Sequence, residues 1–252
     1  IPLGKMRLSP DGRQLAYSLN DHNRVRVMLY DMATGEKEII LRYGVRNYEQ
    51  EIDPNYPVIS WKKDGSGLTF MHERKDVIYH TTIDFVNNEI ITDKLSPEYN
   101  RVYDIDYWSH DSLIMAASTD GLSDLYLYTL TSRQSKRITE DFYDDLDASV
   151  IEINNDRYIL FSSNRNDEVL RKMELDSILP IGPFDLFLLD YNMSQSSLRR
   201  ITYSSDASER QARLAGPDEI VCLTDKDGRW QRMKVSRLME DPPLTEITAK
   251  YD

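Results

Sequence analysis

Several features that commonly carry chemistry are missing from this sequence of 252 residues. It has one cysteine, Cys222, which excludes an internal disulfide and a metal site built from several thiolates. Its ten glycines are spread mostly one to a turn, so neither a phosphate-binding Walker loop nor a dinucleotide-binding fingerprint occurs. No Gly-x-Ser-x-Gly motif marks a nucleophile. We therefore expect the chain to have no catalytic activity of its own and to bind no cofactor.

Long apolar segments and surplus positive charge are missing as well. No apolar run approaches the roughly 18 residues that a membrane-spanning helix requires, so we expect no direct insertion into a membrane. With 31 basic and 43 acidic residues, the formal net charge is −12, which argues against nucleic acid as a partner. Hydrophobic residues make up 40% of the chain, and we expect Cys222, in the middle of an apolar strand, to pack in the core.

A short phrase that recurs along the chain is the most informative feature that is present. Arg137-Ile138-Thr139, Arg200-Ile201-Thr202 and Glu246-Ile247-Thr248 each follow two alternating apolar segments. Two earlier units share the pattern, around Ser9-Pro10-Asp11-Gly12 and around Trp61-Lys62-Lys63-Asp64-Gly65. Periods of roughly 40–50 residues with four short strands apiece are typical of propeller blades. The sequence predicts an all-β fold, a β-propeller of four-stranded antiparallel blades, with five blades visible as a complete ring or as part of a six- or seven-bladed one.

The repeats define one propeller domain or segment, 1–252, with an insertion in its fourth blade. In the first blade Pro10, Asp11 and Gly12 predict a tight turn, because glycine accepts a positive φ there. The insertion, 164–183, begins like a short helix, and it either binds a ligand or caps the edge of the blade. Because Ile1 already lies in a repeat, we expect a piece of a longer protein. The predicted blades are 1–42, 56–95, 102–139, 148–202 and 209–248.

Three phrases of the sequence resemble the PD40 repeat, the WD40-like repeat of TolB-type propellers. They are Leu8 to Tyr17, Leu160 to Arg165, and Asp185 to Asp190 followed by Arg200-Ile201-Thr202. These correspond to the family's turn and to its second, third and fourth strands. The resemblance covers nearly the whole chain and is weaker in the second and fifth units.

The resemblance implies architecture more directly than function. The family includes periplasmic Tol–Pal-type proteins, propellers of prolyl-oligopeptidase-like enzymes and propellers of Bacteroidetes cell-envelope proteins, and the segments 141–149 and 175–180 are similar to the last group. It implies a non-catalytic protein-interaction or scaffold propeller of a bacterial cell-envelope assembly, periplasmic or associated with the outer membrane. The alternative is an accessory propeller domain of a larger prolyl-oligopeptidase-like hydrolase, or a carbohydrate-binding or lyase propeller.

The acidic segment 140–147 is the sharpest candidate site, with five carboxylates in eight residues. Like charges at this density repel one another unless a cation lies among them. We expect a loop between two blades, and three interpretations remain open: a solvated loop, a contact surface for a basic partner, or a Ca²⁺ site, although the spacing matches no EF-hand. The acids assigned to partner binding are Asp141, Asp144, Asp145 and Asp147.

Tyrosines accompany these acids on the same predicted face. In a propeller, the loops between the second and third strands and between successive blades emerge together, and the long loops of this chain fall there. We predict that another protein, with a basic surface as the candidate, binds on that face. Tyrosine suits such contacts because it buries a large area at small entropic cost. The alternative is that these rings wedge between blades as a structural repeat. The assigned tyrosines are Tyr48, Tyr99, Tyr103 and Tyr143.

Histidines give no metal site in this sequence. His22 and His72 fall in equivalent loops of neighbouring predicted blades, but two ligands are fewer than the three that a catalytic metal normally takes from protein. We expect these residues, and His80 in a strand, to be ordinary surface histidines.

Overall fold

A computed structural model describes residues 3–46, 48–49, 53, 55–170, 172, 180–192 and 196–250. Within them the chain forms five four-stranded sheets and a single 3₁₀ turn at Lys226–Gly228. The first sheet contains β1 (Leu3–Leu8), β2 (Gln14–Asp21), β3 (Arg24–Asp31) and β4 (Lys37–Tyr43). The second contains β5 (Val58–Trp61), β6 (Gly67–Arg74), β7 (Val77–Asp84) and β8 (Glu89–Lys94). The third contains β9 (Arg101–Ser109), β10 (Ser112–Ser118), β11 (Ser123–Thr129) and β12 (Ser135–Arg137). The fourth contains β13 (Asp145–Ile153), β14 (Asp156–Ser163), β15 (Asp185–Asp190) and β16 (Ser197–Arg200). The fifth contains β17 (Glu209–Gly216), β18 (Glu219–Thr224), β19 (Gln231–Ser236) and β20 (Leu244–Lys250).

Each sheet places its four strands side by side in chain order, and this confirms the predicted β-propeller with five four-stranded antiparallel blades. The chain divides into two compact units. Unit 1 comprises Ile1–Leu113 and Thr129–Arg133, and unit 2 comprises Ile114–Tyr128 and Gln134–Asp252. Unit 1 therefore holds the first and second sheets, and unit 2 the fourth and fifth. In the part of the chain that is described, no helix has the length and apolar character needed to cross a membrane.

The turn between β1 and β2 has the predicted chemistry. Gly12 has a φ of 72° and donates its N–H to the Ser9 carbonyl at 2.9 Å. The Asp11 Oδ1 accepts hydrogen bonds from the Ser9 hydroxyl at 2.6 Å and from the Arg13 N–H at 3.1 Å. The expected positive φ of Gly12 is confirmed, and the aspartate satisfies the backbone that the turn leaves open.

Strand alternation places one face of the first sheet in the core of unit 1. Ala16, Val27 and Leu29 pack there against apolar side chains of the second sheet, and the Trp61 indole N–H donates to the Arg7 carbonyl at 3.0 Å. In unit 2, Cys222 is buried in the cluster between the fourth and fifth sheets, and burial raises the pKa of its thiol to about 12. The predicted packing role of Cys222 is thus confirmed.

The opposite face of the first sheet is also apolar, and much of it is uncovered. Register places Leu3 opposite Leu19, Met6 opposite Tyr17, and Leu8 opposite Leu15, so all six side chains lie on that face. Leu3, Met6 and Leu8 are each about half exposed, at 55%, 48% and 53%.

The insertion of the fourth blade is described only in part. Residues 164–170 are not helical, so the predicted short helix does not begin there. The remainder of that predicted helix, apart from Lys172, lies outside the described residues. Lys172 contacts Glu140 at 2.7 Å.

Candidate functional site

The predicted acidic site is a buried charge cluster of unit 2 rather than an exposed loop. Asp124 is the second residue of β11, Asp145 is the first residue of β13, and Asp141 precedes β13. All three are buried, and carboxylate oxygens of the three lie within 4.8 Å of one another. Arg165, which follows β14 and is 1% exposed, lies among them. Its guanidinium donates to both oxygens of Asp145, at 2.8 and 2.7 Å, and lies 3.3 Å from Asp141.

The recurring Arg-Ile-Thr phrase holds the third member of the cluster. The Arg137 guanidinium donates to Asp124, the Thr139 hydroxyl donates to the other Asp124 oxygen at 3.3 Å, and the same hydroxyl accepts the Leu125 N–H at 2.9 Å. In the third blade, Asp124 thereby links the start of β11 to the end of β12 and to the residues that follow it. We call this arrangement the Asp-Arg-Thr clamp.

The fourth sheet repeats this clamp with different residues. The Arg200 guanidinium and the Thr202 hydroxyl, at 3.1 Å, donate to Asp185, and the Leu186 N–H donates to the Thr202 hydroxyl at 2.9 Å. The phrase that recurs in the sequence is therefore a structural repeat, in which the arginine and the threonine serve one buried aspartate.

Charge does not balance within the buried cluster of unit 2. Three carboxylates face two guanidiniums, so the cluster holds one carboxylate more than its cations can neutralise. Burial raises the pKa of Asp124 to about 7, with Asp145 and Asp141 adding to the effect, although Arg137 opposes it. Burial also raises the pKa of Asp141, again despite Arg165. Because burial disfavours the charged form, the surplus negative charge is removed most easily by a proton on Asp124 or Asp141.

The fifth blade has another buried acid, Glu209, at the position that Asp145 occupies in the fourth blade. Glu209 begins β17 opposite Thr224, as Asp145 begins β13 opposite Ser163. One Glu209 oxygen accepts hydrogen bonds from the Ser204 hydroxyl at 2.8 Å and the Thr224 hydroxyl at 3.0 Å, while its Oε2 is buried without a partner among the described residues. Burial raises the pKa of Glu209 to about 7, and Asp185 adds to the shift. Lys226, at the position equivalent to Arg165, is exposed.

These contacts correct the predicted exposure of the acids. Asp141, Asp145 and Asp147 are buried, and Asp145 and Asp147 lie in β13 rather than in a loop. Asp147 accepts hydrogen bonds from the Arg210 side chain at 2.5 Å and the Gln211 N–H at 3.1 Å. Asp144 is half-buried and accepts from the Ser123 N–H at 3.1 Å. A partner would first have to displace these internal contacts, and the Ca²⁺ interpretation fits poorly because the Arg165 guanidinium already supplies the cation.

The predicted tyrosines fall into two groups. Tyr99 and Tyr143 are buried, which agrees with the alternative that such rings fill space between blades. The Tyr143 hydroxyl donates to the Asn166 side chain at 2.7 Å, and Arg165 lies over its ring at 5.3 Å. Tyr103 is half-buried, with Arg101 5.1 Å from its ring centre. Tyr48 is 66% exposed, and of the four it alone is positioned to meet a partner directly.

An open cavity of about 880 Å³ lies in unit 1, and one of its lining residues, Arg46, contacts the Tyr48 ring. Its walls come from the turn after β2, the segment after β4 and the turn after β6, and they include Asn20, Asn23, Arg42, Tyr43, Asp53, Tyr56 and Glu73. We call the exposed and half-buried residues around it, 21–23, 44–46, 48 and 73–76, the unit 1 loop surface. The sequence predicted Tyr48 on this face but not the cavity, because the cavity walls come from two sheets and no local motif marks them.

The histidines correct another expectation. His72 and His80 are buried in β6 and β7 rather than lying on the surface. Burial lowers the pKa of His72 to about 4, and its ring lies 4.5 Å from the ring of Tyr43. His72 is a packing residue that supports Tyr43, one of the residues lining the cavity.

The five four-stranded blades form a β-propeller, and its similarity to TolB structures confirms the predicted resemblance to a TolB-like fold. The structure is similar to TolB from Acinetobacter baumannii, with a TM-score of 0.64 and 15% identity over 93% of this chain and 52% of that one. It is also similar to a TolB structure from Agrobacterium tumefaciens, with a TM-score of 0.65 and 13% identity over 99% of this chain and 83% of that one. The β-propeller domain of the Trilobed protease from Pyrococcus furiosus gives a TM-score of 0.61 and 12% identity over 99% and 69% of the two chains.

These identities establish likeness of fold alone. The chain spans about half the length of the Acinetobacter protein. No protein-family model and no curated protein matches the sequence.

Proposed function

We propose that the chain is a non-catalytic protein-interaction module of a bacterial cell-envelope assembly, periplasmic or associated with the outer membrane. Its partner protein binds on the unit 1 loop surface. The envelope assignment rests on the resemblance of the repeats to TolB-type propellers and on the TolB-like fold. The proposed location of the contact rests on the exposed side chains of the unit 1 loop surface.

The observation that carries this proposal is an exposed apolar and aromatic patch beside an open cavity. Val45 is 80% exposed and Tyr48 is 66% exposed. The Tyr48 ring is held 4.4 Å from the His22 ring, and the Arg46 guanidinium lies over it at 4.9 Å. A tyrosine supported on two sides loses little entropy on binding, and tyrosine and arginine are enriched among the residues that dominate interfaces.

A second candidate function has a specific observation in its favour. The likeness to the propeller domain of the Trilobed protease supports an accessory propeller of a larger peptidase. In that case the partner is a catalytic domain, and the same loop surface is a candidate for the contact.

Site-specific photo-crosslinking tests the proposal. A photoreactive amino acid replaces Tyr48 in one variant and Thr34 in the other, and both are expressed in cells of the organism that encodes the chain. Thr34 is exposed in the turn between β3 and β4, at the opposite end of the first sheet. We expect a defined partner to crosslink from position 48 and not from position 34.

Binding kinetics with the purified partner then complete the test. We expect Val45→Asp and Tyr48→Ala each to weaken binding at least tenfold, mainly through faster dissociation. Met32→Ala, an exposed change near Thr34, serves as the control. Equal crosslinking from both positions, or unchanged affinity of both loop variants, contradicts the proposal. A peptidase domain as the crosslinked partner supports the second candidate.

A further inference from the structure

We infer that β8, the last strand of the second sheet, binds an extended segment of another protein, which adds to the sheet as a fifth, antiparallel strand. None of the β8 residues belongs to the unit 1 loop surface, so this is a second binding surface, independent of the one proposed above. The open backbone of β8, its exposed isoleucines and the charges at its two ends support the inference.

One side of the β8 backbone has no neighbouring strand. Among the described residues the order of the sheet is β5-β6-β7-β8, so β8 forms its edge. The Leu95 N–H donates to the Ile78 carbonyl at 2.9 Å, and hydrogen-bonded pairs alternate along an antiparallel ladder. Every second residue before Leu95 therefore bonds to β7 as well. The residues between them turn their N–H and C=O groups away from β7, and these are Ile90, Thr92 and Lys94. Such outward groups are the ones that an added strand pairs with.

The fourth strands of the other sheets have features that commonly prevent such pairing. β12 and β16 contain only three and four residues. β4 and β20 are each interrupted by a β-bulge, at Ile40 and Thr248. β8 has neither feature, because its six residues run in continuous register with β7. Short strands and bulges protect a sheet edge, so β8 is the fourth strand whose edge is left open.

Apolar side chains lie on both faces of this edge. Ile90 is 55% exposed and Ile91 is 48% exposed. The two are adjacent in β8, so they lie on opposite faces of the sheet. Both are β-branched, as is Thr92, and such residues favour the extended backbone before any partner binds. A strand paired with β8 would cover both isoleucines, with one apolar side chain on each face.

Charges at the two ends of β8 give the partner strand a direction. Glu89 and Lys94 are exposed at opposite ends of the strand. An antiparallel partner with an acidic residue opposite Lys94 and a basic residue opposite Glu89 is favoured, because opposite charges that face each other across two strands attract. The segment that we infer therefore begins with an acidic residue, continues with two neutral residues and two apolar β-branched residues, and ends with a basic residue.

A second copy of the chain fits this edge less well. Two antiparallel β8 strands centred on Ile91 would set Glu89 opposite Asp93 twice. The paired registers on either side would set Ile91 opposite one of these two acids. Each copy also has a net charge of −12, which opposes their association. These charges favour a different protein as the occupant.

Hydrogen exchange with a defined peptide tests the inference on the intact chain. The probe is a blocked hexapeptide, Glu-Thr-Thr-Val-Val-Lys, whose order matches β8 in the antiparallel direction. Exchange of the backbone amides is followed by two-dimensional NMR with millimolar peptide. We expect exchange of the Ile90 and Thr92 N–H groups to slow at least tenfold. Exchange of the Ile91 N–H, which already bonds to β7, should change much less.

Modified peptides test the backbone pairing itself. Methylation of the third and fifth peptide nitrogens, which face Thr92 and Ile90, should weaken binding at least tenfold, because it removes the N–H groups that pair with β8. Methylation of the fourth nitrogen, which points away from β8, is the matched control and should change the affinity less than threefold. The reversed sequence, Lys-Val-Val-Thr-Thr-Glu, brings like charges together and should bind about threefold more weakly or worse.

Two variants at Thr92 test the same pairing from the side of the protein. The Thr92 hydroxyl lies 2.9 Å from the Thr81 hydroxyl, so Thr92→Pro and Thr92→Ala both lose this hydrogen bond. Only the proline variant also loses the outward N–H, at an edge position where proline is tolerated. We expect Thr92→Pro to weaken binding at least tenfold and Thr92→Ala less than threefold, at similar melting temperatures. If Thr92→Pro melts much earlier, exposed Ile90→Lys replaces it and should weaken binding about tenfold.

Three results would overturn the inference. One is unchanged exchange at Ile90 and Thr92, and another is equal affinity of the peptides methylated on the two sides. The third is dimerisation of the peptide-free chain that Thr92→Pro abolishes, because the edge would then belong to a second copy. Equal binding of the reversed peptide would overturn the antiparallel direction.

Discussion

Replacing the buried Arg165 by methionine should strongly destabilise unit 2. Methionine fills much of the space of the arginine stem, so the variant removes the charge while limiting the cavity left behind. The guanidinium now serves Asp145 at 2.7 Å and Asp141 at 3.3 Å. Without it, three carboxylates face Arg137 alone, and the surplus of negative charge rises from one to two.

The expected magnitude follows from this charge count. Removing one partner of a buried ion pair costs about 3–5 kcal/mol, because the remaining charge has no compensation and no water. For a domain of this size, 1 kcal/mol corresponds to about 2–4 °C in melting temperature, so we expect a fall of about 6–20 °C at pH 8. The loss should be smaller at pH 5, because the orphaned carboxylates then take up protons.

Urea unfolding and thermal melting at pH 5 and pH 8 measure this loss. Arg157→Met is the control, since that arginine is exposed and its contact with Glu152 at 3.5 Å should be worth less than 1 kcal/mol. Adding Asp145→Asn to the Arg165 variant should recover at least 1 kcal/mol, because it removes one of the uncompensated charges. A loss below 1 kcal/mol, or an equal loss at both pH values, would refute the reasoning.

Two further predictions concern the buried glutamate and the strand glycine. Because burial raises the pKa of Glu209 to about 7, the folded state keeps a proton that the unfolded state releases, so urea stability should fall as pH rises from about 4.5 through 7. Glu209→Gln should reduce that dependence to the part that the raised pKa values of Asp124 and Asp141 contribute, whereas exposed Glu152→Gln should leave it unchanged. At Gly67 an added Cβ would lie 2.2 Å from the Ile83 carbonyl, while at Gly12 it would meet nothing within 4 Å. Gly67→Ala should therefore destabilise more than Gly12→Ala, which costs only about 1 kcal/mol for its positive φ. Equal melting temperatures of the two glycine variants would contradict this explanation.

The blades could be predicted from the sequence because their signals are local. Alternation of apolar residues marks each strand, and turn residues such as Pro10, Asp11 and Gly12 mark where it reverses. The Arg-Ile-Thr phrase marked the repeat correctly, but the structure was needed to show why these residues recur. The partner of each arginine is an aspartate at the start of the neighbouring strand, as Arg137 and Asp124 show.

The sites were harder to predict because their residues meet through the fold. A dense run of carboxylates around Asp141 is usually solvated, and nothing nearby in the sequence indicates that Arg165 reaches it from beyond β14. Arg165 belongs to the phrase that resembles the PD40 repeat, which was the only signal for it. Tyr43 and Glu73 belong to different sheets, and a cavity between their loops has no counterpart in a linear pattern.

The two successive acid positions of unit 2 suggest how such a repeat can diverge. At one of them, Asp141 and Arg165 are both present and buried together. At the other, Ser204 stands in place of the aspartate and exposed Lys226 in place of the arginine. At each position the buried carboxylates still outnumber the guanidiniums beside them by one. An ancestor that changed the arginine first would have carried an uncompensated charge, and one that changed the aspartate first would have kept a cation with one carboxylate fewer. Losing the aspartate first leaves two carboxylates beside two guanidiniums, so a route in which the acid changes before the base never passes through a larger surplus of buried negative charge.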